Sequence, residues 1–220
     1  MTSTFAKVAR VALAGVAAAA AVAASATPAH AAGPTTVFKS GNVLFVNAAA
    51  GTGNDIQLKR TPNGQFYDVR DVQISPGSGC ISGGFRTVLC SAAGISEVRI
   101  SAGDLNDRVS ISTSTFSRVT GGTGDDILVS SHIASSARLS GNDGNDRIFG
   151  SDFDSLFGQN GNDLLSNGRL LTGGAGNDTM FGFGGNDTMN GNDGFDTLDG
   201  GEGFDDLCAE AESTVNCEAF

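Results

Sequence analysis

The chain has 220 residues, 32 of them glycine, and a formal net charge of −11 at pH 7. Average glycine usage is about 7%, so this chain carries roughly twice the usual share. Nucleic-acid binding depends on neutralising phosphates with Lys and Arg, so a chain this acidic is not expected to have nucleic acid as its partner.

The first 31 residues have the features of a secretory signal peptide. They combine a positively charged start (Lys7, Arg10), an uncharged apolar run over residues 11–24 and the small-x-small cleavage site Ala29-His30-Ala31. A membrane anchor is the alternative, but the apolar run is shorter than the roughly 20 residues that a spanning helix needs. We therefore predict cleavage after Ala31, export, and no transmembrane segment in the mature chain.

Residues 32–120 form a β-rich N-terminal segment. Short runs of β-branched and aromatic residues recur there, separated by Gly, Asn, Pro or Ser, which is typical of strands. Residues 102–109 (AGDLNDRV) look like a decayed copy of the repeat found further along, with Leu105 in place of a turn glycine. We interpret the segment as an irregular continuation of the same solenoid; a separate small β-sandwich is the alternative.

The composition changes near Gly121, where a repeat begins. Residues 32–120 hold six acidic and eight basic side chains, whereas residues 121–220 hold eighteen acidic and three basic ones. The repeated form is Gly-Gly-x-Gly-x-Asp-x-U-x, with U a large apolar residue. Its clearest copies are 121–129, 173–181 and 200–208; weaker copies are 141–149, 158–166, 182–190 and 191–199, and 150–157 is a degenerate one.

This nonapeptide is the signature of RTX calcium-binding proteins, and residues 121–208 resemble the RTX parallel β-roll family. The resemblance implies an all-β, right-handed parallel solenoid in which two repeats make one coil and calcium lies between turns of adjacent coils. Glycine permits the positive φ that lets turn carbonyls point inward, and Asp adds charge to the cage. Calcium takes about six to eight oxygen ligands, which such turns can supply.

The predicted metal ligands are the repeat aspartates and the turn glycines of the clearest copies. They are Asp126, Asp146, Asp163, Asp178, Asp187, Asp196 and Asp205, with Gly121, Gly122, Gly124, Gly173, Gly174, Gly176, Gly200, Gly201 and Gly203. The spacing of the aspartates predicts several Ca²⁺ ions, with more on one edge of the roll than on the other. The richer edge carries Asp107, Asp126, Asp146, Asp163, Asp178 and Asp196, and the other carries Asp154, a ligand-free turn, Asp187 and Asp205.

The thin core and the cysteines complete the predicted solenoid. The U positions that face inward are Leu128, Ile148, Leu156, Leu165, Met180, Met189, Leu198 and Leu207. Export favours disulfides, and of the three possible connectivities we favour the local pairs Cys80–Cys90 and Cys208–Cys217. The second pair would hold residues 209–220 as a cap over the open end of the solenoid.

Catalytic signatures are missing from the sequence. It contains no H-E-x-x-H and no G-x-S-x-G motif, and its carboxylates have calcium-ligand spacing. We therefore predict no enzyme, but a secreted, extracellular calcium-binding repeat protein whose roll folds on binding extracellular calcium. One alternative is an adhesin or matrix protein that presents the calcium-loaded rod to a protein or polysaccharide; another is a secreted hydrolase with an unrecognised site, for which His132 is the remaining histidine.

Overall fold

The computed structural model describes residues 33–131, 135–203 and 205–219. The predicted signal peptide and His132 lie outside these residues. The described residues form 22 β-strands in two 11-stranded sheets, and they contain no helix that could cross a membrane.

The N-terminal strands lie at one end of both sheets and are mostly antiparallel. They are β1 (Thr35–Ser40), β2 (Val43–Asn47), β3 (Asp55–Arg60), β4 (Phe66–Arg70), β5 (Ile74–Pro76), β6 (Cys80–Gly84) and β7 (Thr87–Ser91). Strand β1 pairs with β2, β3 with β4, and β7 with both β4 and β6, all antiparallel, whereas β5 adds to β1 in parallel.

The remaining strands form a parallel solenoid. They are β8 (Glu97–Asp104), β9 (Arg108–Ser112), β10 (Phe116–Thr123), β11 (Ile127–Ser130), β12 (Ala137–Asp143), β13 (Arg147–Phe149), β14 (Ser155–Asn160), β15 (Leu164–Ser166), β16 (Leu170–Ala175), β17 (Thr179–Phe181), β18 (Thr188–Asp193), β19 (Thr197–Asp199), β20 (Leu207–Ala209), β21 (Ser213–Val215) and β22 (Glu218–Ala219). From β8 onward, even-numbered strands stack in the first sheet and odd-numbered strands in the second. One strand of each sheet, with two turns, makes one coil, as predicted for a β-roll.

Both sheets continue without interruption from the N-terminal strands into the repeats. Strands β2 and β3 pair in parallel with β8 and β9, so they form an irregular coil of the same solenoid. Strands β1, β4, β6 and β7 extend the sheets through antiparallel pairs, which the sequence did not lead us to expect. Both sheets continue past residue 120 without a break. The division of the chain into two segments at this residue therefore stays a prediction from composition.

The core of the repeat region is a narrow double row of apolar side chains. Each coil contributes one large apolar residue from each sheet, and the members of this row are at most 1% exposed: Val119, Leu128, Leu139, Ile148, Leu156, Leu165, Leu171, Met180, Met189 and Leu198. Full burial of one such side chain contributes about 1.5–3 kcal/mol. Because the core is so thin, interactions in the turns at the edges of the roll must also stabilise the stacking of neighbouring coils.

The last predicted core residue is wrong by one position. Leu207 is half-buried, and Cys208 takes the inward place, in register with Met189 on the neighbouring strand. A shift of one residue in a strand exchanges its two faces. Here the inward position of Cys208 places its sulfur within reach of Cys217.

Two disulfides link the predicted local pairs. Cys80 and Cys90 are directly opposite each other on β6 and β7, with Cα atoms 4.2 Å apart. Cys208 on β20 is joined to Cys217, just before β22. The second bond ties the final strands to the last coil of the solenoid.

Candidate metal centre

The turns that lead from the first sheet to the second carry a column of buried aspartates. Each is at most 3% exposed, and we call them the aspartate ladder: Asp107, Asp126, Asp146, Asp163, Asp178 and Asp196. From Asp126 onward, the Oδ1 atom of each accepts the backbone N–H of the preceding ladder residue at 2.7–2.8 Å. Each carboxylate thus ties its own coil to the one before.

The second oxygen of every ladder carboxylate lacks a donor. In the described part of the chain, the Oδ2 atoms of all six ladder residues are buried and have no hydrogen-bond partner, and the same holds for Asp187 on the opposite edge. A buried carboxylate oxygen without a partner costs free energy unless a proton or a cation accompanies it. The ladder therefore forms a regular row of sites that require positive charge.

A glycine lies beside each of these oxygens except Oδ2 of Asp107, for which Ala102 has the place that Gly121 takes in the next coil. A Cβ atom at Gly158 would overlap Oδ2 of Asp163 and come within 2.7 Å of the carbonyl oxygen of Gly173. At Gly121 it would overlap Oδ2 of Asp126 and meet the carbonyl oxygen of Gly141 at 2.8 Å. Carboxylate and carbonyl oxygens of adjacent coils thus converge on a space that only the hydrogen of glycine leaves open.

The next glycines of the turn allow the coils to approach closely. Gly122 and Gly124 have φ values of 129° and 120°, and a Cβ atom at either would overlap a backbone carbonyl of the preceding coil. Gly174 and Gly176 repeat this arrangement three coils further along, with φ values of 127° and 129°. These positions need glycine both for conformation and for space.

A family model for the RTX calcium-binding nonapeptide repeat matches residues 140–169 and 170–198. This match confirms the predicted resemblance to RTX repeats over residues 140–198. No curated protein and no solved structure matches the chain. The ladder residues Asp146, Asp163, Asp178 and Asp196 lie within the matched RTX repeats, and Asp107 and Asp126 continue the same column before them.

The coil before the RTX repeats contains a natural control. Asn54 takes the ladder position there, and its backbone N–H donates to Oδ1 of Asp107 at 2.7 Å. Its side-chain Nδ2 donates to the carbonyl oxygens of Thr52 and Ala102 at 2.9 and 3.0 Å. In this coil the amide of Asn54 therefore donates to the carbonyl oxygens around the ladder position. In later coils an unpaired Oδ2 atom takes the place of this amide. The later coils have no such amide, so the acceptors around their ladder carboxylates lack this donor.

Burial makes the ladder carboxylates from Asp107 to Asp178 resist ionisation when no cation is bound. Burial raises the pKa of Asp126, Asp163 and Asp187 from 3.8 to about 7. It raises the pKa values of Asp107, Asp146 and Asp178 to about 6. Neighbouring carboxylates add to the rise at each of these sites, whereas backbone N–H groups oppose it along the ladder. A divalent cation would reverse this balance by favouring the charged form.

The opposite edge differs from the ladder at Asp154. This fully buried carboxylate accepts the hydroxyl of Ser130 at 2.7 Å, both the N–H and the hydroxyl of Ser151 at 2.9 Å, and the N–H of Ala137 at 2.5 Å. Hydrogen bonds therefore satisfy both of its oxygens. Asp154 holds the turn together without any need for a cation.

The predicted ligand Asp205 is displaced by its neighbour. Asp206 is 3% exposed, and its Oδ1 accepts the N–H of Asp187 at 2.9 Å. Asp205 is exposed and receives only the side-chain amide of Asn186, at 3.2 Å. The predicted stacking of Asp187 on Asp205 is therefore wrong; the inward register of Cys208 moves the buried carboxylate to residue 206.

Sequence reasoning also left two carboxylates out of the ligand set. Asp107 has the buried, unpaired Oδ2 of a full ladder member although its repeat is degenerate. Glu212 lies beyond the last repeat, and its Oε2 accepts the N–H of Asp196 at 2.7 Å. In the described ranges no three His, Cys, Asp or Glu side chains converge on one point, so any cage here must draw mainly on backbone carbonyls.

Proposed function

We propose that this protein is a secreted calcium-binding repeat protein whose β-roll folds on binding extracellular calcium. The observation that carries the proposal is the row of buried Oδ2 atoms without donors. All but that of Asp107 lie beside a glycine, and at four of these glycines a carbonyl oxygen of the adjacent coil lies close as well. Oxygen donors in this number and arrangement suit a hard cation of the size of calcium.

The proposed ligands are the carboxylates with an unpaired buried oxygen, together with the turn carbonyls beside them. They are Asp126, Asp146, Asp163, Asp178, Asp187 and Asp196 from the predicted set, and Asp107 in addition. In the last turn we propose Asp206 in place of Asp205, because Asp206 is the one that faces inward. Bound Ca²⁺ would supply the positive charge that these oxygens lack.

The same geometry makes folding dependent on the cation. The last hundred residues carry eighteen acidic side chains and three basic ones, and the solenoid stacks the acidic ones in columns. Each coil has a thin apolar core to offset this repulsion and the cost of ordering the backbone, which is roughly 1–2 kcal/mol per residue. A ligand that binds only the folded form stabilises it by mass action, and several sites act together.

Export is supported by the signal-like features of residues 1–31 and by the two disulfides. Disulfides persist in oxidising compartments outside the cytosol. Extracellular calcium-binding modules commonly have Kd values of about 10⁻⁴–10⁻³ M. The roll would then remain loose in a low-calcium cytosol and become ordered after export.

A calcium titration of the mature protein, followed by circular dichroism, tests the proposal. In EDTA the repeat half should give a coil-like spectrum, and millimolar calcium should convert it cooperatively to β-structure. Magnesium is the control, because it is smaller and demands octahedral geometry. A full β spectrum in EDTA that calcium leaves unchanged would refute the proposed coupling of folding to calcium.

A further inference from the structure

An open groove with a volume of about 960 Å³ runs along the outer face of the first sheet. It crosses the starts of β10, β12, β14, β16 and β18. Its wall combines arginines, aromatic rings and hydroxyls, and we call it the arginine groove, with Phe116, Arg118, Arg138, Phe153, Ser155 and Arg169 as its defining residues.

The charge of the arginine groove is opposite to that of its surroundings. Residues 121–220 contain three basic side chains, and two of them, Arg138 and Arg169, line this groove. Both are exposed, and neither forms an ion pair with a carboxylate of the described residues. In a region with eighteen acidic side chains, two unpaired guanidinium groups in one groove are available to an anion from solution.

Aromatic rings accompany these arginines. The guanidinium of Arg138 lies over the ring of Phe157, 3.7 Å from its centroid, and that of Arg118 lies 5.1 Å from the centroid of Phe116. Stacking of this kind fixes the planar guanidinium while its N–H groups stay free to bind an anion. Arg118 is partly neutralised by Glu97 at 2.9 Å, so Arg138 and Arg169 carry the free charge.

A short turn opens one end of the groove into a recess. Residues 167–169 join β15 to β16, whereas the flanking turns, 150–154 and 182–187, are longer. Phe153 and Phe183, 56% and 58% exposed, belong to these longer turns and line a recess of about 640 Å³ together with Arg169. Because Phe153 and Arg169 also line the groove, the two spaces are continuous.

The size of the positive surface limits what it can bind. From β10 to β18 the groove spans four strand spacings, roughly 19 Å. Beyond it lie the acidic turns, and Asp152 stands exposed at the rim of the recess. A long polyanion such as nucleic acid would extend onto these carboxylates, whereas an anionic chain of a few sugars would not.

We propose that the arginine groove binds a short anionic glycan. Carboxylate or sulfate groups would pair with the forked N–H donors of Arg138 and Arg169. An exposed ring such as Phe153 would pack against the apolar face of a sugar, and the hydroxyls of Ser155 and Thr188 would bond to sugar hydroxyls. This role is separate from calcium binding, because none of these side chains belongs to the aspartate ladder.

Isothermal titration of the calcium-saturated mature protein tests the proposal, with equal calcium in cell and syringe. The probes are a galacturonate hexamer for carboxylate, a heparin hexasaccharide for sulfate, maltohexaose as the neutral sugar and an eight-nucleotide oligothymidylate. We expect one or both anionic sugars to bind and maltohexaose not to bind. Arg138→Gln and Arg169→Gln should each weaken that binding about tenfold, the scale of one lost charge-assisted hydrogen bond.

Arg147→Gln is the matched control, since Arg147 is the third arginine of this half and is exposed on the second sheet. It should change glycan affinity by less than about twofold. Circular dichroism and calcium titration of all variants should match the parent, which separates loss of the groove from loss of calcium binding. Four outcomes would each overturn the proposal. They are binding of maltohexaose as tight as that of the anionic sugars, tighter binding of oligothymidylate, an effect of Arg147→Gln equal to that of the groove variants, and no glycan binding at millimolar concentration.

Discussion

The side-chain amide of Asn54 donates to Oδ1 of Asp107 at 3.0 Å, and through the same nitrogen it also bonds carbonyl oxygens of its own and the next coil. In every later ladder coil a carboxylate oxygen without a donor takes the place of this amide. An Asn at a ladder position should therefore replace the cation with hydrogen bonds.

This relationship predicts opposite effects of Asp178→Asn with and without calcium. In EDTA the substitution should raise the free energy of unfolding by about 1–3 kcal/mol, because it removes an unpaired buried oxygen. In calcium it should reduce the stabilisation that calcium adds. Circular dichroism in EDTA, where the parent repeat half is expected to be coil-like, measures the first effect, and calcium titration measures the second.

Asp154→Asn is the matched substitution on the other edge. Its Oδ2 accepts three donors, from Ser130 and Ser151, and an amide nitrogen cannot replace it as an acceptor. This variant should have a lower free energy of unfolding both in EDTA and in calcium. The stabilisation that calcium adds should stay unchanged. If Asp178→Asn and Asp154→Asn alter that increment equally, the assignment of the ladder as the calcium-binding edge is wrong.

A methyl group in the ladder pocket should block the cation. A Cβ atom at Gly158 overlaps Oδ2 of Asp163, so Gly158→Ala should displace this carboxylate and cost about 1–3 kcal/mol through overpacking. Gly184→Ala is the control, because its Cβ would meet nothing closer than 3.9 Å. Calcium titration and thermal unfolding of both variants check the expectation, and equal behaviour would contradict it.

The last turn offers a test of register. Asp206→Asn should weaken calcium-induced ordering of the final coils, because it removes the charge of the buried carboxylate that we propose as a ligand there. Asp205→Asn should have little effect, since Asp205 is exposed. Hydrogen exchange of residues 182–199 in calcium distinguishes the two, and a larger effect of Asp205→Asn would restore the register inferred from the repeat alone.

The pH dependence of the metal-free protein should follow the raised pKa values of the ladder. Folded-state pKa values of about 6 at Asp146 and about 7 at Asp126 and Asp163 exceed the ordinary 3.8, so the folded state binds more protons than the unfolded state between these limits. The stabilisation should be fully present below about pH 4 and lost as the pH rises through 6 to 7.

Thermal unfolding of calcium-free protein from pH 4 to 7.5 measures this loss. In saturating calcium the trend should reverse, because protons and calcium compete for the same carboxylates. A metal-free midpoint that stays constant or rises with pH would contradict the assignment of Asp126, Asp146 and Asp163 as desolvated carboxylates.

Processing and oxidation can be tested together. We expect the secreted protein to begin at Ala32, after the Ala29-His30-Ala31 site, and to contain no free thiol, since both cysteine pairs are bonded. Intact-mass measurement with and without alkylation checks both points. A product that retains residues 11–24, or one that takes up alkylating agent before reduction, would disagree with this prediction.

The nine-residue spacing determined the edge that carries the ladder and the inward row from Leu128 to Leu198, once the resemblance to RTX repeats had implied a parallel solenoid. It could do so because each repeat encodes its own turn and strand, and stacking then repeats one local geometry. The local disulfide pairs were likewise accessible, since short separations favour them.

Tertiary structure alone decided the departures from the repeat. The sequence does not state that β1, β4, β6 and β7 form antiparallel pairs, because a strand pattern carries no information on the direction of its partner. It places Asp154 on the poorer edge but does not show that hydrogen bonds satisfy its carboxylate, since the donors Ser130 and Ser151 lie in different coils. The choice of Asp206 over Asp205 depends on the inward position of Cys208, a contact between coils that no single repeat encodes.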